Sequence, residues 1–191
     1  NVEQAARELI AGGAGVIQLR AKGVDKMTVE ALAGKIQKIC ASAEVPFVVN
    51  DYPEIALKVH ADGVHIGQDD GSLEDVRAIV GDKVIVGRST HSVEQAEEAL
   101  LDGFDYIGFG PLFPTPTKKG RPGIGMENVR AVQGTIGTRI PVFCIGGIRR
   151  DNLAEVIEAG ARRVVVVSDL LGAESISAAA QSVVDHLEKA E

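Results

Sequence analysis

The sequence predicts an α/β protein of the (β/α)8 TIM-barrel class, in which parallel strands alternate with helices. Two observations support this prediction. Short apolar segments recur about every 20 residues, and most are continuously apolar, as in strands that are covered on both faces of a parallel sheet. Amphipathic helix patterns lie between these segments. We place the strands at residues 16–20, 47–50, 63–67, 84–89, 106–110, 142–145 and 164–168.

The composition is that of one globular domain, which we assign to residues 1–191, with 45% apolar residues to fill its core. The sequence has no apolar stretch long enough to cross a membrane and no signal-peptide pattern, so we expect a cytoplasmic protein. The net charge of -7 argues against nucleic acid as a partner. Cys40 and Cys144 have no CxxC spacing and are predicted to be reduced thiols of the core.

The first helix pattern opens the sequence, so the numbering does not include a strand before it. In an eight-stranded barrel that strand would lie between residues 16–20 and residues 164–168. We therefore expect no hydrogen-bonded ladder between these two segments, and we expect residues upstream of Asn1 to supply the absent strand. The apolar positions of this first helix are Val2, Ala5, Ala6, Leu9 and Ile10.

Further helices are predicted by apolar residues spaced three and four positions apart. Ser92, with Gln95 three residues later, predicts the start of one helix by a capping box. The apolar positions of the other helices are Val29, Leu32, Ala33, Ile36 and Ile39, then Leu73, Val76, Ile79 and Val80, and finally Ile176, Ala180, Val183, Val184 and Leu187.

Two acidic residues follow neighbouring strands of the predicted sheet. Asp51 comes directly after residues 47–50, and Asp70 follows residues 63–67. Each of them alone suits an ordinary helix cap or a solvated turn. Together, at the carboxyl edge where such folds bind ligands, they predict a Mg²⁺ site that substrate oxygens and water complete. Asn50 adds an amide that can contact the same ligand.

Three polar side chains occupy alternate positions where the first predicted strand ends. Gln18, Arg20 and Lys22 therefore point to one side of the strand. One interpretation is a strand end that becomes polar as it reaches water. The other interpretation places Arg20 and Lys22 on a pyrophosphate group and Gln18 on a ring or hydroxyl of the ligand.

The longest connection without helix or strand patterns covers residues 111–125. Loops of this length in compact barrels often close over ligands or bind them. Thr115, Thr117 and Lys118 add hydroxyls and a positive charge to an otherwise acidic protein. A solvated basic turn is the ordinary interpretation of such a run, and phosphate binding is the functional one that we favour.

A pair of glycines follows the strand predicted at residues 142–145. At Gly146 and Gly147, backbone N–H groups can approach an anion closely, although a glycine pair alone is a weak signal. Ser168 ends the next predicted strand beside them, so the three residues outline a second anion site. Two anion sites indicate two substrates.

The histidines carry little functional signal in the sequence. His60, His65 and His186 have no metal-ligand partner three or four positions away, so we interpret them as structural. His91 follows a predicted strand end and is a candidate for the rim of the site. The sequence contains no Ser/His/Asp or Cys/His signature and no glycine pattern of the Rossmann type.

These motifs, in this order, resemble those of the thiamine phosphate synthase family from the first helix to the last. The segments that carry the resemblance are IQLRAK, VVNDYPEIALKVHADGVHIGQDD, GRSTHS, DYIGFGPLFPTPTKK, CIGGI and VVVVS. The resemblance implies a Mg²⁺-dependent TIM-barrel transferase that joins hydroxymethylpyrimidine pyrophosphate to thiazole phosphate, giving thiamine phosphate and pyrophosphate. Pyrophosphate is expected to leave early, so that thiazole nitrogen attacks a carbocation-like centre without a protein nucleophile.

The resemblance also assigns roles to residues of this sequence. Asp51 and Asp70 match the metal ligands, and Arg20, Ser89 and Lys118 are the predicted catalytic residues. The matches to contacts with the pyrimidine pyrophosphate are Gln18, Arg20, Lys22, Asn50, Ser89 and Lys118. The matches to the thiazole phosphate side are Thr115, Thr117, Gly146, Gly147 and Ser168.

Two alternative functions stay open at this point. The related thiazole tautomerase is an isomerase that, by resemblance, carries His in place of Pro111 and lacks the acidic metal pair. The second alternative is a non-catalytic barrel that binds thiamine precursors as a regulator. In every case the expected partners are small molecules rather than nucleic acid or membrane, and a homo-oligomer is also an open alternative.

Overall fold

The computed structural model describes residues 1–114 and 122–190. Seven strands form one parallel sheet in sequential order, each strand pairing with the next along the chain. The predicted α/β barrel class is confirmed. The strands are β1 (Ile17–Leu19), β2 (Phe47–Asn50), β3 (Gly63–Ile66), β4 (Ile85–Thr90), β5 (Tyr106–Phe109), β6 (Val142–Ile145) and β7 (Val164–Val165).

Helices follow the strands and cover the outer face of the sheet. The apolar faces predicted for the helices supply much of the core, with Val29, Ala33, Ile36 and Val76 all buried. The helices are α1 (Val2–Ala11), α2 (Lys26–Ser42), α3 (Pro53–Lys58), α4 (Leu73–Val80), α5 (Val93–Asp102), α6 (Val129–Thr135), α7 (Leu153–Glu158), α8 (Ser168–Leu171) and α9 (Ile176–Glu188).

Side-chain caps explain where several helices begin. The Ser92 hydroxyl accepts a hydrogen bond from the Gln95 backbone N–H at the start of α5, as the sequence predicts. The Gln95 side chain, however, accepts from the backbone N–H of His91 rather than of Ser92. A complete capping box occurs instead at α4, where Ser72 and Asp75 satisfy each other's backbone N–H groups.

The sheet is open between its first and last strands. In the described part of the chain, β1 pairs with β2 and β7 pairs with β6, and no ladder joins β1 to β7. The expected lack of this ladder is confirmed. The helical layer nevertheless closes across the gap because α1 packs on α9. Gly12, which ends α1, lies so close to α9 that a Cβ atom there would collide with Ser177 and Ala180.

The last predicted strand is shorter than expected, and the prediction for Ser168 was wrong in this respect. Strand β7 ends at Val165, and Ser168 is the first residue of the short helix α8. The β6–β7 ladder ends at Val165 because β6 itself ends at the opposite residue. Ile145, opposite Val165, is the last residue of β6, and Gly146 then leaves the strand with a φ of 101°.

Both cysteines are buried free thiols, as predicted. Burial raises the pKa of each thiol to about 11, so Cys40 and Cys144 are protonated at neutral pH. Within the described ranges, no helix is both long enough and apolar enough to span a bilayer.

The concave face of the sheet depends on a glycine. In the register, Gly87 of β4 lies between His65 of β3 and Tyr106 of β5. A Cβ atom at Gly87 would collide with the Tyr106 ring. The missing side chain therefore gives Tyr106 the space to approach His65, with their ring centroids 5.4 Å apart. The ring of Phe143 on β6 packs edge-on against Tyr106 from the other side, at 5.6 Å.

We predict that Gly87→Ala destabilises the fold because its methyl group displaces the Tyr106 ring. Overpacking of this kind costs roughly 1–3 kcal/mol in the free energy of unfolding, measurable by urea denaturation. Gly34→Ala is the matched control, since a Cβ atom there meets nothing within 4 Å inside α2. The control should gain about 0.5–1 kcal/mol from helix propensity. Equal stability of Gly87→Ala and the parent protein would contradict the proposed fit.

Candidate active site

Most of the sequence-predicted site residues lie at the carboxyl edge of the sheet. Arg20 follows β1. Asn50 is the last residue of β2, and Asp51 follows it. Asp70 lies beyond the end of β3, and Ser89 is the second-last residue of β4. Because all seven strands are parallel, these positions share one rim. Gly146 and Gly147 follow β6 on the same rim. The structure thus brings together residues that are up to about 130 positions apart in the chain.

Lys22 and Asp51 form an ion pair on this rim. The Lys22 ammonium lies 3.1 Å from Asp51 Oδ2, with the carboxylate largely covered and the lysine half exposed. Asp51 has a positive φ of 72° and its backbone N–H donates to the His65 carbonyl. Helix α3 has Tyr52 at its N-cap, with no side-chain cap bond. The structure therefore does not support the ordinary interpretation of Asp51 as a helix cap.

Asp70 lies in a tight exposed turn after β3. Its Oδ2 atom accepts a hydrogen bond of 2.7 Å from the Gly67 backbone N–H. Arg88 on β4 fixes this turn by donating to the carbonyl groups of Gln68 and Gly71. The Gln68 side chain in turn donates to the Ser89 carbonyl at 2.6 Å. The turn that carries Asp70 is consequently anchored to the strand that carries Ser89.

The two carboxylates suit one divalent cation. Magnesium usually takes one or two protein carboxylates and completes its octahedron with water and phosphate oxygens. Asp51 and Asp70 follow adjacent strands and provide such a pair. In the described part of the chain, no group of three or more His, Cys, Asp or Glu side chains is arranged as a metal cage. Asp51 and Asp70 are therefore the residues that could hold a metal together with a phosphate-bearing ligand.

A chain of polar side chains crosses the concave face below the rim. The Tyr106 hydroxyl lies 3.0 Å from His65 Nδ1, and the neighbouring Gln18 side chain acts to lower the pKa of this phenol. His65 Nε2 lies 2.9 Å from Ser89 Oγ. These residues belong to β1, β5, β3 and β4, so contacts between strands that are not neighbours show that the sheet curls around them. The chain connects two predicted ligand contacts, Gln18 and Ser89.

Sequence reasoning missed the position of His65 and Tyr106 in this chain. His65 is only 8% exposed and was interpreted as structural because it has no ligand-spaced partner nearby. Its partners are 41 and 24 residues away along the chain. A polar residue within an otherwise apolar strand was the one available signal, since a buried polar side chain requires a hydrogen-bond partner.

The glycine pair after β6 packs against the segment that follows β5. Cβ atoms at Gly146 and Gly147 would meet Pro111 and Phe113 respectively. The Gly146 carbonyl accepts from the Phe113 backbone N–H at 3.0 Å, and the Gly147 carbonyl accepts from the Asn152 side chain. Close packing is therefore one reason for glycine here. The hydrogen bonds involve carbonyl oxygens and do not use the N–H groups that an anion would need.

Ser168 is held near this turn by a neighbouring ion pair. Arg150, which follows the glycine turn, donates to both carboxylate oxygens of Asp169, at 2.8 Å and 3.3 Å. The hydrogen bond from Arg150 is the main reason why the pKa of Asp169 lies below its ordinary value. Helix α8 is thereby tied to the loop after β6, and Ser168 stands exposed beside the pair.

Three predicted contacts, Thr115, Thr117 and Lys118, lie outside the described residues. His91, the candidate for the rim, hydrogen bonds through Nδ1 to the Gly110 carbonyl. It thus anchors the start of the connection that carries those three residues. Two surface hollows lie elsewhere, along the outer face of α2, and their lining includes none of the predicted site residues.

The buried position of Tyr106 gives a prediction at alkaline pH. Burial raises the pKa of its phenol, and the hydrogen bond from Gln18 offsets only part of this effect. A tyrosine in the unfolded chain ionises at about pH 10. The stability linked to Tyr106 is therefore complete below about pH 10 and is lost as pH rises through the folded pKa.

This prediction can be measured in a Tyr52→Phe variant, where Tyr106 is the remaining one of the two tyrosines. Absorbance titration of the folded protein should show phenolate only well above about pH 10. The urea midpoint should fall above that pH in this variant and fall less in Tyr106→Phe. A phenolate transition at the ordinary pH in the folded variant would show that the hydroxyl is not buried as described.

The chain is similar to known proteins in both sequence and fold. The chain is 41% identical over 191 residues to the thiamine-phosphate synthase of Shouchella clausii, covering 100% of this chain and 90% of the relative. It is 46% identical over 183 residues to the thiamine-phosphate synthase of Bacillus cereus strain AH187, covering 90% of this chain and 80% of the relative.

A solved structure of the thiamine phosphate pyrophosphorylase of Pyrococcus furiosus superposes with a TM-score of 0.90 at 33% identity. The superposition covers 100% of this chain and 91% of the other. The family profile described as thiamine monophosphate synthase matches residues 1–170, which include every predicted site residue. The chain belongs to the thiamine monophosphate synthase family.

Proposed function

We propose that the protein is a Mg²⁺-dependent thiamine-phosphate synthase. It transfers the hydroxymethylpyrimidine group from its pyrophosphate to thiazole phosphate. The observation that carries this proposal is the Lys22–Asp51 ion pair on the rim that also bears Asp70. It combines a cation suited to phosphate oxygens with carboxylates suited to a metal. Family membership and the match over the whole chain support the same activity.

In this function the rim neutralises the leaving group. Asp51 and Asp70 are the residues that would hold Mg²⁺, and the bound ion would supply positive charge to the pyrophosphate oxygens. Lys22 lies beside Asp51, and its ammonium is half exposed, so it can turn to a pyrophosphate that arrives at the rim. Arg20 follows the same strand and adds a guanidinium that can bind phosphate through two parallel hydrogen bonds. We assign Lys118, outside the described residues, to the same leaving group.

The transfer breaks one C–O bond and forms one C–N bond. The methylene C–O bond breaks, and its electron pair leaves with pyrophosphate while the aminopyrimidine ring spreads the positive charge. The lone pair of the thiazole nitrogen then forms the new C–N bond. That nitrogen carries no proton, so no general base is required. The main task of the protein is to orient the two substrates and to stabilise charge.

Separate binding regions keep the two substrates in line. Gln18, Asn50 and Ser89 lie on the β1, β2 and β4 side of the rim and are assigned to the pyrimidine pyrophosphate. Gly146, Gly147 and Ser168 lie after β6 and β7 and are assigned to the thiazole phosphate, together with Thr115 and Thr117 outside the described residues. The thiols of Cys40 and Cys144 are buried and protonated, in keeping with a reaction that uses no cysteine nucleophile.

The direct test is a product assay. The purified protein is incubated with hydroxymethylpyrimidine pyrophosphate, thiazole phosphate and Mg²⁺, and thiamine phosphate and pyrophosphate are measured. Equal amounts of both products are expected. Isomerisation of a thiazole phosphate without thiamine phosphate would instead indicate a tautomerase. Binding of either precursor without any turnover would indicate a regulatory barrel.

Removal of one proposed metal ligand should lower the catalytic activity. We predict that Asp51→Ala and Asp70→Ala each lower kcat/KM by about 10²-fold or more, because charge on the leaving pyrophosphate is no longer neutralised. Asp69→Ala, at an exposed neighbouring carboxylate, is the control and should keep near-normal activity. EDTA should inactivate the parent protein, and added Mg²⁺ should restore it. Full activity of Asp51→Ala, or of the parent protein in EDTA, would rule out the metal role.

A further inference from the structure

The two proposed metal ligands are held in the fold by different means. Asp51 directly follows the last residue of β2, and its backbone N–H donates to the His65 carbonyl of β3 at 2.9 Å. Asp70 lies beyond the end of β3, in the turn formed by residues 67–71. Strand pairing therefore fixes the backbone of Asp51 but does not reach Asp70. Contacts made by the turn itself must set the distance between the two carboxylates.

Arg88 of β4 supplies these contacts through one guanidinium group. Its Nη1 donates to the Gly71 carbonyl at 2.9 Å, and its Nη2 donates to the Gln68 carbonyl at 3.2 Å. These two carbonyls flank Asp70 in the sequence, so both ends of the segment that carries it are bound to one planar group. A guanidinium presents its donors in a rigid fork, whereas the ammonium of lysine is a compact point charge. Arginine is therefore suited to fix this segment, and lysine is not.

The guanidinium of Arg88 lies on the helical side of the sheet. Its Cζ atom is 5.1 Å from the ring centroid of Phe104, a core residue that is 1% exposed. Successive residues of a strand face opposite sides of the sheet, and the next residue, Ser89, contacts His65 on the concave side. Arg88 is thus packed behind the rim rather than in the concave face. Any effect of Arg88 on the reaction must pass through the turn.

The turn transmits the position of β4 to the carboxylate of Asp70. Its second anchor is the Gln68 amide, which donates to the Ser89 carbonyl at 2.6 Å. Within the turn, Asp70 Oδ2 accepts from the Gly67 backbone N–H at 2.7 Å. A Cβ atom at Gly67 would lie only 2.7 Å from that oxygen, so the carboxylate is packed directly on the turn. The contacts therefore run without a break from β4 to one carboxylate oxygen.

We propose that Arg88 is a positioning residue, which holds the turn of residues 67–71 so that Asp70 and Asp51 can bind one divalent cation together. The inference rests on the proposed function in taking these two carboxylates as the metal ligands. It makes a prediction that charge alone does not. Removal of a nearby positive charge reduces repulsion and should tighten binding of a cation. Loss of the positioning contacts should weaken it instead.

The inference is tested by metal binding without turnover. Mn²⁺ is the probe, and the unbound ion is measured by EPR in titrations of the parent protein, Arg88→Lys and Arg88→Met. Both variants should bind Mn²⁺ about tenfold or more weakly, as when groups that orient metal ligands are removed. Arg88→Lys keeps the charge and loses the fork, so it isolates the geometric effect. Unchanged or tighter binding in Arg88→Met, or no binding by the parent protein, would overturn the inference.

Arg77 offers a matched control at the other edge of the sheet. Its guanidinium also donates to two backbone carbonyls, those of Gly81 and Val84, which lie between α4 and β4. Arg77→Lys should lower the urea midpoint and leave the Mn²⁺ affinity unchanged. Equal weakening of Mn²⁺ binding in Arg77→Lys and Arg88→Lys would reveal a general loosening of the fold and would contradict a positioning role.

Gln68→Ala tests the same turn if the Arg88 variants do not fold. It removes the amide that donates to Ser89 but keeps the backbone carbonyl that accepts from Arg88. Mn²⁺ affinity should again fall, because the turn loses one of its two anchors on β4. Affinity equal to that of the parent protein would show that anchoring of the turn does not set metal binding, and the inference would fail.

Activity assays separate this inference from the proposed function. In Arg88→Lys, the Mg²⁺ concentration for half-maximal rate should rise about tenfold, and most of kcat should return at saturating Mg²⁺. An active parent protein whose Arg88 variants bind Mn²⁺ normally would refute the positioning role and leave the function intact. A parent protein that forms no thiamine phosphate, yet binds Mn²⁺ more tightly than its Arg88 variants, would refute the function and leave the positioning role intact.

Discussion

The fit between Gly87 and the Tyr106 ring is the constraint on which the interior of this domain depends. An aromatic ring fills the space that a side chain on the neighbouring strand would need, so β4 and β5 have complementary surfaces. The ring then reaches His65 on β3 and packs against Phe143 on β6. Four consecutive strands are held in one curvature by a single residue and its neighbours. The relative positions of the rim residues depend on that curvature.

The rim carries positive charge on an otherwise acidic protein. The chain carries a net charge of -7, yet Lys22 and Arg20 follow the first strand, and Lys22 lies beside the carboxylate of Asp51. Pairing with Lys22 compensates the charge of the largely covered Asp51 carboxylate. The ion pair therefore places charges of both signs at one point of the rim.

Much of the fold could be predicted from the sequence because it depends on local patterns. Six strands were located to within one or two residues, since each is a continuous apolar run that ends at a polar residue or glycine. The seventh was predicted too long. Val166 and Val167 continue the apolar run, but a strand requires a partner, and β6 ends at Ile145. The expected apolar face of α4 also failed at Ile79, which is 43% exposed, because periodicity does not specify how far a neighbour extends.

The candidate site likewise contains residues that local sequence patterns identify and residues that only the fold brings together. Residues at strand ends, such as Asp51 and Asp70, could be found from sequence because parallel strands share one carboxyl edge. The Gln18–Tyr106–His65–Ser89 chain could not, since its members are adjacent only after the sheet has curled. Charge at the rim determines which ligand can bind, and such charge is visible in the sequence. The contacts of His65 with Tyr106 and Ser89 join residues from three different strands, so only the three-dimensional arrangement contains them.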